Sequence, residues 1–131
     1  MPDAERTPEH VAAIAILKSY NERFTAIIDM IDSNNRLIGE QKDEAQQLLK
    51  ALKESLKTDC KEYDRNRDNL NKYESAFVAP ALRQASANIM SAWNAVPDQK
   101  MHSDLYGARI DITHALHDLE KLPVDWSPAE N

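Results

Sequence analysis

Residues 49–77 read LKALKESLKTDCKEYDRNRDNLNKYESAF, and Leu49, Leu56, Tyr63, Leu70 and Phe77 fall in it at every seventh position. Leu48, Leu52 and Tyr73 widen the same seam. A seven-residue apolar period of this length is the spacing of a helix packed lengthwise against other helices. The seam weakens in its middle. Asp59 and Asn66 stand where apolar residues belong, and the stretch from Lys57 to Glu74 is mostly polar with three asparagines. A polar residue in such a seam costs stability and sets register or partner choice.

Upstream, Thr7-Pro8-Glu9 reads as a helix start: a capping hydroxyl, a proline for the first turn and an acid at the positive end of the dipole. Leu17, Phe24, Ile31 and Ile38 then carry an apolar stripe to Gly39, with Ser33-Asn34-Asn35 just before it. Gly39 is a natural break. The spacing therefore predicts helices over 8–38 and 41–77, folded back as an antiparallel hairpin. A competing arrangement is set by the series Leu17, Phe24, Ile31, Ile38, Ala45, Leu52, which keeps its register through Gly39. It describes one long continuous helix in a dimeric coiled coil, because glycine costs only about 1 kcal/mol inside a helix.

Downstream, Pro80 lacks an N–H and is expected to push Ala79 out of helical geometry, ending the second helix. A third helix follows over 80–95, with Leu82, Ala85, Ile89, Ala92, Trp93 and Val96 inward. Val96-Pro97-Asp98 is a turn, and a fourth helix runs over 100–121. Residues 1–7 form an N-terminal extension, and 122–131 a C-terminal tail. The expected fold is all-α: one domain over 1–131, a four-helix antiparallel bundle built on a long hairpin with two shorter helices.

Composition agrees. Only two glycines occur among 131 residues, which favours few, long helices over turn-rich folds. Hydrophobic residues make up 42% and charged residues 29%, as in a globular domain. The net charge is −6, and acids outnumber bases six to four over 1–39, nine to eight over 40–75 and seven to four over 76–131. No region is basic, which argues against nucleic-acid and anionic-membrane partners. No run approaches the roughly 20 apolar residues that span a bilayer. The opening MPDAERTPEH lacks a signal-peptide pattern, so a cytoplasmic location is expected. Cys60, the only cysteine, excludes an intrachain disulfide and a multi-cysteine zinc site.

Three stretches bear on chemistry. The first is DITHALHD, residues 111–118, with two histidines and two aspartates at helical spacing. On a helical wheel Leu105, Ala108, Ile112, Ala115, Leu116, Leu119 and Leu122 fill an arc of about 140°. That leaves His114 and His117 on the wet side. Asp111, His114 and Asp118 share at most one outward patch, whereas di-iron bundles aim Glu-x-x-His pairs inward from two helices. No metal site is expected, and these three residues come nearest to one. His10 and His102, at helix starts, add nothing convergent. The second is the row Lys53, Lys57, Lys61, Arg65, which reads as an ion-paired face because Glu54, Glu62, Asp64 and Asp68 interleave with it. The third is the tail LPVDWSP, residues 122–128, whose Trp126 either plugs the end of its own bundle or docks elsewhere.

No catalytic residue set, glycine-rich phosphate loop or cofactor signature is present. Function follows by exclusion. The expectation is a non-enzymatic protein–protein interaction module: an adaptor, inhibitor or assembly factor of the kind found among phage and plasmid accessory proteins. It binds another protein through Tyr63, Arg67, Leu70, Tyr73 and Trp126, and the long seam offers a route to a homodimer. The alternatives are a metal-dependent helical-bundle enzyme using Asp111, His114 and Asp118, and a nucleic-acid-binding helical protein.

Overall fold

The computed structural model describes residues 6–33, 39–90, 99–123 and 126–127. Four helices pack against one another: α1 (Pro8–Ser33), α2 (Gly39–Arg65), α3 (Ala79–Met90) and α4 (Gln99–Lys121). A 3-10 turn, Arg67–Asn69, and a π-helical turn, Glu74–Val78, lie between α2 and α3. The most extensive interface joins α1 to α4, followed by α3 with α4, α2 with α3, and α1 with α2. Among the described residues no helix is long and apolar enough to cross a membrane.

The start of α1 follows its residues. The His10 N–H donates to the Thr7 hydroxyl at 3.2 Å, and the Val11 N–H donates to the Thr7 carbonyl at 3.0 Å. At the head of α2, Gly39 has φ +54°. That left-handed value is open to glycine and disfavoured for other L-residues, and it cannot occur within a continuous right-handed helix. The single long helix is thereby excluded, and α1 packs back on α2 as a hairpin. The residues joining them, 34–38, lie outside the described residues, as does the expected Val96-Pro97-Asp98 turn.

The core draws on every helix. Leu17, Phe24, Leu52, Leu56, Leu82, Leu105, Ile112 and Leu119 have no exposed surface. The four Leu, Ile and Ala positions of the α4 stripe at 105, 108, 112 and 119 are all fully buried, whereas Ala115 and Leu122 are partly buried.

Two expectations at the α2–α3 junction are corrected. The helix expected over 41–77 stops at Arg65. Asn66 ends it by turning its side-chain amide back to the Glu62 carbonyl at 3.0 Å, and the Asn69 N–H closes a tight turn on the Asn66 carbonyl at 2.8 Å. The chain then restarts before Pro80, not at it. The Glu74 N–H donates to Asn71 Oδ1 at 2.9 Å, and the Asn71 N–H donates to Glu74 Oε1 at 3.1 Å. This reciprocal pair is a capping box. Pro80 also fails to displace Ala79, which keeps helical φ −59° and ψ −47°. The π turn explains why: the Ala79 N–H reaches back five residues to the Glu74 carbonyl, and the widened turn precedes the residue that would otherwise clash with its own helix. Leu70 and Phe77 thus keep the seven-residue spacing while lying outside α2.

Asn71→Ala removes one half of the capping box and is expected to cost about 1 kcal/mol. Glu74→Gln keeps both bonds and is expected to change stability by less than about 0.5 kcal/mol. Urea denaturation of the two variants checks this.

Candidate functional site

At one end of the bundle an aromatic stack forms where the sequence offers only scattered rings. His10, fully buried, lies on the core face of α1, one turn before Ile14 and two before Leu17. A carbonyl oxygen only accepts, so the 2.6 Å contact from Nε2 to the Leu119 carbonyl places the ring proton on Nε2. The imidazole stacks on Tyr73 with ring centroids 4.6 Å apart and planes within 7°. Trp126 closes the stack, its ring 5.7 Å from Tyr73 and 5.3 Å from Phe77. Lys72 holds it there: its ammonium sits over both the Tyr73 and Trp126 rings and donates to the Trp126 carbonyl. Trp126 therefore docks on its own bundle. Two polar atoms inside the stack, His10 Nδ1 and the Tyr73 hydroxyl, have no hydrogen-bond partner among the described residues.

These positions revise the expected partner surface. Tyr73 is buried, and Trp126 covers it. Tyr63 is half-buried against the core, Leu70 is half-buried, and Arg67 alone is fully on the surface. The five residues do not form one exposed face, because the interruption of the helix at 66–71 turns Tyr73 inward at the start of a new helix. Burial, with Glu74 and Asp59 nearby, pushes the Tyr63 phenol up to about 12.

The polar interruption at Asp59 has an internal partner. The buried Tyr20 hydroxyl donates to the Asp59 carboxylate across the α1–α2 interface. Burial and this carboxylate hold the Tyr20 phenol well above its ordinary range. A groove of about 720 Å³ opens above the pair, lined by small side chains such as Ala15, Ser19, Ala51 and Ser55. None of its lining residues is a large exposed hydrophobe, and its buried polar pair is already satisfied.

The basic row also divides. Lys53 is 7% exposed, and burial lowers its ammonium to about 8. Arg65 pairs with Glu62 at 3.1 Å. Lys57 and Lys61 remain exposed. The four do not form a continuous cationic track, because Lys53 lies on the edge of the Leu49–Leu52–Leu56 seam. Cys60 is half-buried, and burial followed by the nearby Asp64 raises its thiol, which weakens it as a nucleophile.

In α4, Asp111 is half-buried and accepts a hydrogen bond from the Asn88 amide of α3 at 2.6 Å. His114, His117 and Asp118 are exposed. Asp111 is thus engaged between helices rather than in a patch with His114 and Asp118. Among the described residues no three His, Cys, Asp or Glu side chains are placed to hold one metal ion.

The other side of α4 carries a feature that its sequence signalled only weakly. Tyr106 is 42% exposed and Ile110 39%, one helical turn apart. They border a groove of about 320 Å³ between α1 and α4, floored by Asn21, Thr25 and Thr113 and reached by His114. Between them Arg109 lays its guanidinium 4.6 Å from the Tyr106 ring centroid and donates to the Thr25 hydroxyl at 3.3 Å. The Thr113 hydroxyl lies 3.2 Å from Asn21 Oδ1 and 2.8 Å from the Arg109 carbonyl. The groove is built from side chains that fix one another. The signal available in the sequence was Tyr106 and Ile110 at a four-residue interval outside the core arc of α4. Comparison with protein-family models, with curated proteins and with solved structures gives no match to this chain.

Proposed function

We propose that this chain is a non-enzymatic protein-interaction module, and that it engages its partner through the α1–α4 groove. The observation that carries the reading is the Tyr106–Arg109–Ile110 surface. Isolated exposed hydrophobes are ordinary, but here two stand one turn apart around an ordered arginine. Tyrosine and arginine are the residue types that dominate binding energy at protein interfaces, and a ring already in contact with a guanidinium loses little freedom on binding. Adaptor, inhibitor and assembly roles all use such a face. A homodimer formed through it is the self-partner version of the same reading.

The test is a double variant, Tyr106→Glu with Ile110→Glu, compared with the wild-type chain as bait in extracts of its native cells. Both side chains lie outside the core, so the variant is expected to keep its helical circular dichroism and to lose no more than about 5 °C in melting temperature. A specific partner is expected to be retained by the wild type and lost by the variant. A partner retained equally by both defeats the assignment to this groove.

A further inference from the structure

We infer that the α1–α4 groove takes an acidic amphipathic helix, one of whose carboxylates pairs with Arg109. This rests on the protein-binding reading above and adds the chemistry of the partner.

The chain carries 22 acids against 16 bases, yet Arg109, half-buried, has no carboxylate within ion-pair distance among the described residues. Its contacts are a neutral hydroxyl and an aromatic face. It is the one formal charge among the groove-lining residues at neutral pH, with His114 the second basic group at the rim. A guanidinium has five donors in a flat fork, and Thr25 accepts from one of them. Contact with the Tyr106 ring and the Thr25 hydroxyl holds the head group in place, and the donors that Thr25 does not use are left for a bidentate acceptor. A carboxylate is the protein group that fits.

The shape selects a helix. Tyr106, Ile110 and His114 follow one another every fourth residue, so they form a ridge inclined by about 26° to the α4 axis. The short side chains Asn21, Thr25 and Thr113 keep the floor beside it low. A ridge beside a parallel trough is the surface onto which an amphipathic helix lays apolar residues at spacings of three and four. An acid on the flank of that helix meets Arg109.

The test uses three blocked helical peptides of about 18 residues, long enough to hold helix. All share the same Leu and Ala face, and their polar positions are filled with Glu, Gln or Lys. Each is titrated into the ¹⁵N-labelled chain. The Glu peptide is expected to shift the resonances around Tyr106, Arg109 and Ile110, to bind at least about fivefold more tightly than the Gln peptide, and to weaken from about 50 to 300 mM salt. Arg109→Gln is expected to abolish that preference and Arg109→Lys to retain part of it. Equal binding of the Glu and Gln peptides, or a preference for Lys, overturns the acidic assignment and leaves the groove as a neutral docking surface. Shifts confined to another face, or no binding of the Glu peptide, also overturn it. The capture experiment above judges the protein-binding reading separately.

Discussion

Tyr73→Ala is expected to lower the unfolding free energy by about 3–5 kcal/mol, whereas Tyr73→Phe is expected to leave it unchanged or raise it by about 1 kcal/mol. The contrast follows from what the side chain touches. Its ring is 2% exposed and lies between His10 and Trp126. Truncation opens a cavity in the end of the bundle, unstacks the imidazole and removes the seat of the C-terminal tail. The hydroxyl, by contrast, is buried without a hydrogen-bond partner among the described residues. An unpaired buried hydroxyl is a cost, and phenylalanine removes it while keeping the ring. Guanidinium unfolding of both variants, followed by Trp126 and Trp93 fluorescence, makes the comparison. A loss of more than about 1 kcal/mol in Tyr73→Phe would show that the hydroxyl is paired, through a buried water for example.

The second large effect depends on pH. Lys53 is buried in the folded chain, which lowers its ammonium to about 8 from the ordinary lysine value of about 10.5. Below pH 8 both the folded and unfolded chains hold the proton, so the folded state carries the net cost of desolvating that charge. Between pH 8 and 10.5 the unfolded chain binds the proton more, and the folded state gains as pH rises. A displacement of this size sets an upper bound of roughly 3 kcal/mol, and solvent reaching the ammonium at the end of its buried stem screens it to a fraction of that. Lys53→Met keeps the long apolar stem and removes the charge. It is therefore expected to be more stable than the wild type by about 1 kcal/mol at pH 7, with the gap closing by pH 10.5. Comparing the two chains at each pH cancels the opposing titration of Cys60, Tyr20 and Tyr63, whose protons are held more tightly in the folded state. A gap that is constant from pH 7 to 10.5 contradicts the burial of a charged Lys53.

The helices and their core faces were legible because burial repeats with the helical period. Leu17, Phe24, Leu49, Leu56, Leu105 and Ile112 announced themselves by spacing alone. The break after Arg65 was hidden by that same spacing, since Leu70 and Phe77 continue the seven-residue count from a different element. The signal that reveals it is local: Asn71 followed three residues later by Glu74, a capping box inside what looked like one helix. Pro80 misled because a π turn absorbs it, and nothing in the order of residues announces such a turn. His10 could have been placed, since it stands four residues before Ile14 and seven before Leu17, on the core stripe. Lys53 was harder. It lies on the edge of its seam, where a long side chain can turn either toward water or along the protein surface. The groove was less legible still, because Tyr106, Arg109 and Thr25 meet only once α1 and α4 are packed together.

The central claim is that Tyr106, Arg109 and Ile110 face a partner. It is tested most directly by placing a photo-crosslinking amino acid at position 110 in one version of the chain and at exposed Ala87 of α3 in another, then irradiating each in its native cells. The expected result is one discrete adduct from position 110, to another protein or to a second copy, and none from position 87. No adduct at position 110, or the same adducts from both positions, contradicts it.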